Sequence, residues 1–243
     1  MRSLIMIFVI FLTPVLAAQD AATILQRVDA NLSSRNRVFE SDMTIHSRRG
    51  SRTISSRSYA EGNQKSFTEY LAPASDKGTK MLKLDKQLWI YDPGTDRTIQ
   101  LSGHMLRQSV MGSDLSYEDM MDDRSLSEMY TAVISGRGEI NGQAVVILEL
   151  TAKTADLAYH SQKLWVDAVR YVPLKQELYA KGGKLLKKLE MSNIKQIQGR
   201  WFPMTMLYKD MLKQGDGTEF NIRSIQFDAV IPDHIFTKAS LRK

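Results

Sequence analysis

Six short turn signals, set along a chain whose apolar residues otherwise alternate with polar ones, leave this sequence few ways to fold. Arg49-Gly50-Ser51, Glu61-Gly62-Asn63, Pro93-Gly94, Asn141-Gly142, Gly182-Gly183 and Gly215-Asp216-Gly217 each separate two strand-like runs. Asn-Gly is the strongest hairpin signal among them, because a type I′ turn needs positive φ at both central positions. Strands joined by turns this short pair antiparallel. Between 39 and 46 the alternation is clean: Phe39, Met43 and Ile45 share one face, with Glu40, Asp42, Thr44 and His46 on the other. One face is therefore buried and the other wet.

The count comes to roughly a dozen strands. A one-sided sheet of that size has to curl around its apolar face. The expected fold is mainly β, a single antiparallel meander curled into an unclosed half β-barrel. Apolar parity shifts after Asn221, to Ile225 and Phe227, which predicts a β-bulge there.

Two segments depart from the β pattern. Residues 20–32 place Ile24, Leu25, Val28 and Leu32 at helical spacing behind a capping Asp20. Strands at 79–84, 88–92 and 97–101 then lead into 102–123, which is polar and Gly-containing yet carries Met105, Leu106, Val110, Met111 and Leu115 without a period. Ser116-Tyr117-Glu118-Asp119 reads as a capping box that opens a short helix through Met120 and Met121. The helix and this flap are expected to cover the concave face, with Met105, Leu106, Val110, Met111, Leu115 and Met120 as a lid.

Composition matters at this point, since 13 Met in 243 residues is high and Met suits adaptable apolar surfaces. Strand parity predicts a cavity lined by Met43, Ile45, Phe67, Leu82, Leu84, Leu148, Leu164, Leu189, Met191, Met204, Met206 and Phe220. Trp89 and Tyr91 are counted with this set, as core or as rim groups with one wet end.

Arg2, the uncharged apolar run 4–12 and the small residues closing at Ala17 have the form of a secretory signal peptide. Its apolar core is shorter than the roughly 20 residues of a bilayer span. The expected organisation is a leader at 1–17 and a single domain at 18–243, exported to the periplasm. The absence of Cys excludes a lipobox, disulfides and thiol chemistry. Lys and Arg total 33 against 27 acidic residues. In an exported chain that balance suits an anionic membrane surface, or simple solubility, better than nucleic acid. Lys80, Lys83, Lys86, Lys187 and Lys188 are the candidate contacts.

Catalytic signals are lacking. His46, His104, His160 and His234 lie in separate segments without metal-ligand spacing, and there is no G-x-S-x-G elbow. Asp114, Glu118, Asp119, Asp122 and Asp123 lack the spacing of a calcium loop and read as solvated helix-end carboxylates, Asp119 also capping Ser116. No catalytic residue, metal or cofactor is expected.

The run GTKMLKLDKQLWIYDPGTDRTIQL, the segment Gly112–Asp119 with its G-S-D-x-S-Y-E-D pattern, and the closing Pro232–Thr237 with Leu241 resemble the LolA-like outer-membrane lipoprotein-sorting family. The branch most similar comprises uncharacterised periplasmic proteins often encoded beside RND-type exporters. The resemblance spans the mature chain. It implies an unclosed barrel with a helical lid, whose cavity takes the acyl chains of a lipoprotein or lipid. Implied partners are an inner-membrane transporter such as an RND-type exporter, an outer-membrane acceptor, and transient membrane contact, for a monomer without nucleic acid. The family's gating Arg does not map uniquely onto Arg48, Arg52 or Arg57. An accessory exporter subunit would instead have a filled barrel and an exposed apolar patch. An envelope lipid hydrolase would need His104 or His160 beside a Ser and a carboxylate.

Overall fold

The computed structural model describes residues 20–48, 50–121 and 124–242; the expected leader at 1–17 lies outside them. Among the described residues, thirteen strands form one antiparallel sheet. A first run comprises β1 (Asn36–Ser47), β2 (Gly50–Glu61), β3 (Lys65–Ala72), β4 (Lys80–Leu84), β5 (Gln87–Asp92) and β6 (Arg97–Leu101). The second comprises β7 (Tyr130–Ile140), β8 (Gln143–Ala152), β9 (Ser161–Asp167), β10 (Pro173–Tyr179), β11 (Leu185–Ile197), β12 (Arg200–Asp210) and β13 (Gly217–Phe227).

The sheet is two meanders rather than one. β1 pairs with β13, so the order runs from β6 back to β1, then β13 back to β7. The edge strands β6 and β7 are thus consecutive in sequence. Whatever joins them has to cross from one edge of the sheet to the other, and that connection is the flap. It contains two 3₁₀ turns, Gly103–Arg107 and Val110–Gly112, and the short helices α2 (Tyr117–Met121) and α3 (Leu126–Met129).

Local chemistry accounts for the remaining boundaries. Asn141 and Gly142 both take positive φ, as a type I′ turn requires. Gln198-Gly199, which carries no equally strong signal, does the same between β11 and β12. The expected bulge is present on β13: Glu40 and Ser41 face Ser224 and Ile222, leaving Arg223 extra. Gly217 has φ +101°, and a Cβ there would lie 2.4 Å from the Tyr208 carbonyl oxygen. Gly217→Ala is expected to lower stability by about 2 kcal/mol, measurable as an earlier urea midpoint with an unchanged slope.

The helix α1 (Ala21–Leu32) begins where the Asp20 carboxylate accepts from the Thr23 amide at 2.7 Å. Its Ile24, Leu25 and Val28 pack against Tyr130, Val146, Leu148, Leu150, Leu164 and Val166. Asp29 accepts from the Leu126 and Ser127 amides at 2.8 and 2.9 Å, capping α3. The Asn31 amide donates to the Arg170 and Tyr171 carbonyls. Helix α1 is therefore a pinned plug over β7–β9. At the other end the flap's Val110, Leu115 and Tyr117 close over Met43, Ile54, Tyr70, Met81, Leu88 and Leu101.

The predicted parity is wrong on three strands. Phe67, Leu82, Leu84, Trp89 and Tyr91 point to the convex face, where Ile231, Phe236 and Leu241 of the C-terminal segment cover them. Pairing puts Phe67 beside Leu82 and Leu82 beside Trp89. The concave positions go instead to Ser66, Thr68 and Tyr70 on β3 and Met81 on β4. Both faces are covered here, so Lys80–Lys83 is buried at every position and alternation carries no sign of which side is inside.

Candidate functional site

A cavity of about 380 Å³ remains on the concave side, between the C-terminal end of α1 and the flap. Its size falls within the roughly 300–1,000 Å³ of small-molecule sites. One wall is apolar: Leu189 and Met191 from β11, Phe202 and Met206 from β12, Phe220, Ile222 and Ile225 from β13. Met43 and Phe39 continue it onto β1, and Leu32 of α1 closes one end. Val110, Leu115 and Met120 of the flap close the other.

The opposite wall is hydroxyl-bearing. Ser41, Ser56, Ser58, Ser66 and Thr68 form a contiguous patch on β1–β3. Ser41 and Ser56 Oγ atoms lie 3.2 Å apart, and Ser58 Oγ lies 2.9 Å from Thr68 Oγ1. Small side chains here leave the space that larger ones would fill.

Of the predicted cavity set, Met43, Leu189, Met191, Met206 and Phe220 meet at this space. Leu148 and Leu164 face the same way but are completely covered by α1. Met204 is closed over by Phe202, Ile222 and Phe227, while Ile45 lies under the flap. Of the predicted lid, Val110, Leu115 and Met120 line the cavity, whereas Met105, Leu106 and Met111 only pack against the flap's own cluster. The hydroxyl wall was missed. Its signal is the alternation Ile54-Ser56-Ser58-Ala60, a strand face with small residues where large apolar ones would be expected.

Asp114 and Asp119 are not the solvated carboxylates expected, while Asp122 and Asp123 lie outside the described residues. Asp114 is buried and accepts from Thr218 Oγ1 at 2.8 Å and from the Asp210 amide at 2.9 Å. Lys213 reaches Ser109 Oγ and the Ser113 carbonyl from the other side. Asp119 accepts from the Ser116 amide and hydroxyl at 2.7 and 2.8 Å, the anticipated capping contact. It also takes bonds from Lys187 Nζ on β11 and the Tyr159 hydroxyl. The Lys187 and Asp119 side chains keep only 10% and 15% of their exposure. The G-S-D-x-S-Y-E-D run is thus the flap's anchorage to the far side of the sheet.

Burial alone would raise the Asp119 carboxyl, but the Lys187 charge, together with the bonds from Lys187, Tyr159 and Ser116, outweighs it and holds the group below the usual carboxylate range. Burial and the Asp119 charge push the Tyr159 phenol up. Burial, with Asp119 adding to it, pushes Tyr208 up to about 12. Lys83 is buried with its Nζ donating to the Asn63 carbonyl, and Lys80 and Lys187 are buried as well, so these three are not the surface contacts expected; Lys86 is exposed and Lys188 half-buried. His104 and His160 are exposed, and among the described residues neither imidazole bonds a serine or a carboxylate.

A protein-family model described as an uncharacterized protein family matches residues 62–243. No curated protein matches significantly. Three solved structures are similar over nearly their whole length. An outer membrane lipoprotein-sorting protein domain from Vibrio parahaemolyticus is 26% identical, with 92% of this chain and 98% of that one covered and a TM-score of 0.79. A DUF1329 family protein from Desulfovibrio piger is 26% identical, with coverages of 90% and 97% and a TM-score of 0.81. A LolA superfamily protein from Nitrosomonas europaea is 25% identical, with coverages of 92% and 100% and a TM-score of 0.75.

Proposed function

The chain belongs to the family whose model matches residues 62–243 and has the LolA-like fold of an outer membrane lipoprotein-sorting protein domain and a LolA superfamily protein, and on that premise we propose that it is a periplasmic carrier for the acyl chains of a lipoprotein or lipid. The observation that carries this reading is the cavity of about 380 Å³ with one apolar wall, closed by α1 and the flap. An acyl chain would displace the flap and lie against Met43, Leu189, Met191, Met206 and Phe220. Each buried methylene contributes about 0.8 kcal/mol. Ten or so therefore supply about 8 kcal/mol, the scale of micromolar affinity, before the ordering costs of binding. A non-catalytic accessory subunit of an RND-type exporter would have a filled concavity, and the open space favours the carrier.

Under this reading residues 1–17 direct export. An inner-membrane transporter loads the carrier and an outer-membrane acceptor with a better apolar site unloads it. Lys86 and Lys188 are the basic residues left to touch anionic membrane.

Native mass spectrometry of the mature protein from its own periplasm, followed by solvent extraction, tests the proposal. A co-purifying lipid or acylated peptide is expected. Met206→Asp places a charge on the apolar wall and should cut uptake of a fluorescent fatty acid by at least about tenfold. A ligand-free mass together with no uptake by the unmodified protein would sink the carrier reading.

A further inference from the structure

Several hydroxyl hydrogens on the cavity wall have no strong acceptor. Ser41 with Ser56, and Ser58 with Thr68, form two hydroxyl pairs. Each pair holds two O–H hydrogens and spends one on the bond between its members, so one donor per pair is left over. Two phenols add to the surplus. Tyr70 Oη donates only to Met81 Sδ at 3.6 Å, and Tyr208 Oη only to Met206 Sδ at 3.8 Å. A thioether sulfur is a weak acceptor. Ser41, Ser56, Ser58, Thr68 and Tyr70 are each more than nine-tenths buried. Buried donors without acceptors are costly, and a fully apolar ligand would leave all of these unpaired.

We propose that the cavity is built for an uncharged lipid linkage: the ester or amide carbonyl of an acylated ligand enters with its chain and accepts hydrogens from this wall. The hydrocarbon lies against the facing apolar wall. The two charged residues that line the cavity, Arg37 and Asp119, are of opposite sign, so the lining carries no net charge that would favour an anionic headgroup. The inference rests on the carrier reading and specifies its ligand. Ester and amide linkages share the chemistry but come from different sources, a free acylglycerol or an acylated protein terminus.

The test is displacement of a fluorescent acyl probe from the delipidated mature chain by three ligands of equal chain length. These are monopalmitoylglycerol, an N-palmitoylated peptide, and the hexadecyl ether of glycerol, which keeps the chain and headgroup but lacks the carbonyl. At least one carbonyl compound should bind about tenfold more tightly than the ether. In a Ser56→Ala, Ser58→Ala, Tyr70→Phe variant that preference should fall several-fold, the ether gaining on the carbonyl compounds because the donors it leaves unpaired are gone. Preference for the glyceride identifies a free lipid, and preference for the peptide an acylated protein. Equal binding of all three to the unmodified protein overturns the linkage proposal and leaves the carrier standing. No displacement by any of them overturns both.

Discussion

Lys187→Met is expected to free the flap and lower the midpoint of thermal unfolding by about 6–12 °C. Lys187 and Asp119 are both nearly covered and tie α2 to β11 across the cavity. Removing one member of a buried pair strands the other charge and costs about 3 kcal/mol or more. In a domain of this size each kcal/mol shifts the midpoint by about 2–4 °C. Hydrogen exchange should accelerate over 102–121 before it does so in β8 or β9, because the flap loses its tie to the far side of the sheet while α1 keeps its own. Adding Asp119→Asn to the variant should restore part of the loss, since it removes the stranded carboxylate. Equal exchange in the flap before and after Lys187→Met would show that the pair does not hold it.

The pH dependence of this latch follows from the direction of the Asp119 shift. Its folded value lies below its unfolded one, so its contribution is fully present above the unfolded carboxylate value of about 4. It is lost as pH falls through the lowered folded value. The flap of the unmodified protein should therefore stay protected at mildly acidic pH. Without Lys187 the burial that favours the neutral acid is no longer offset by a cation, so acidification should relieve the stranded carboxylate and tighten the flap, and opening should instead increase as pH rises. Exchange rates of the flap amides against pH measure both.

Phe236→Ala should destabilise the fold by about 3–5 kcal/mol and leave acyl affinity per folded molecule unchanged. Phe236 is 6% exposed and covers Phe67, Leu82 and Trp89 on the convex face, together with Ile231 and Leu241. That cluster lies on the opposite side of the sheet from the cavity. Urea unfolding would give the first quantity and probe titration the second. Loss of binding without loss of stability would place those five predicted cavity residues back inside.

The features legible in the sequence are those written in short stretches of chain. Turn chemistry such as Asn141-Gly142 sets antiparallel pairing locally. Asp20 and the spacing of Ile24, Leu25 and Val28 make α1. The loss of period after Leu101 marks the flap, and the parity change after Asn221 marks the β13 bulge. On β1 and β11–β13, where one face is wet, parity also located Met43, Leu189, Met191, Met206 and Phe220 at the cavity.

Other features depended on partners far away in the chain. On β3–β5 the C-terminal segment covers the convex face, so both parities are apolar or buried and only the folded contact with Phe236 and Leu241 says which side is which. Asp119 read as a solvated helix-end acid because its partner Lys187 lies 68 residues on. The flap crosses the cavity because β1 pairs with β13, which places β6 and β7 at opposite edges. Alternation and turn residues report the backbone's local hydrogen bonding and one bit of facing per position. The β1–β13 pairing that joins the two meanders, coverage of the sheet's second face and compensation of a buried charge are contacts between distant residues, and only the tertiary structure brings those together.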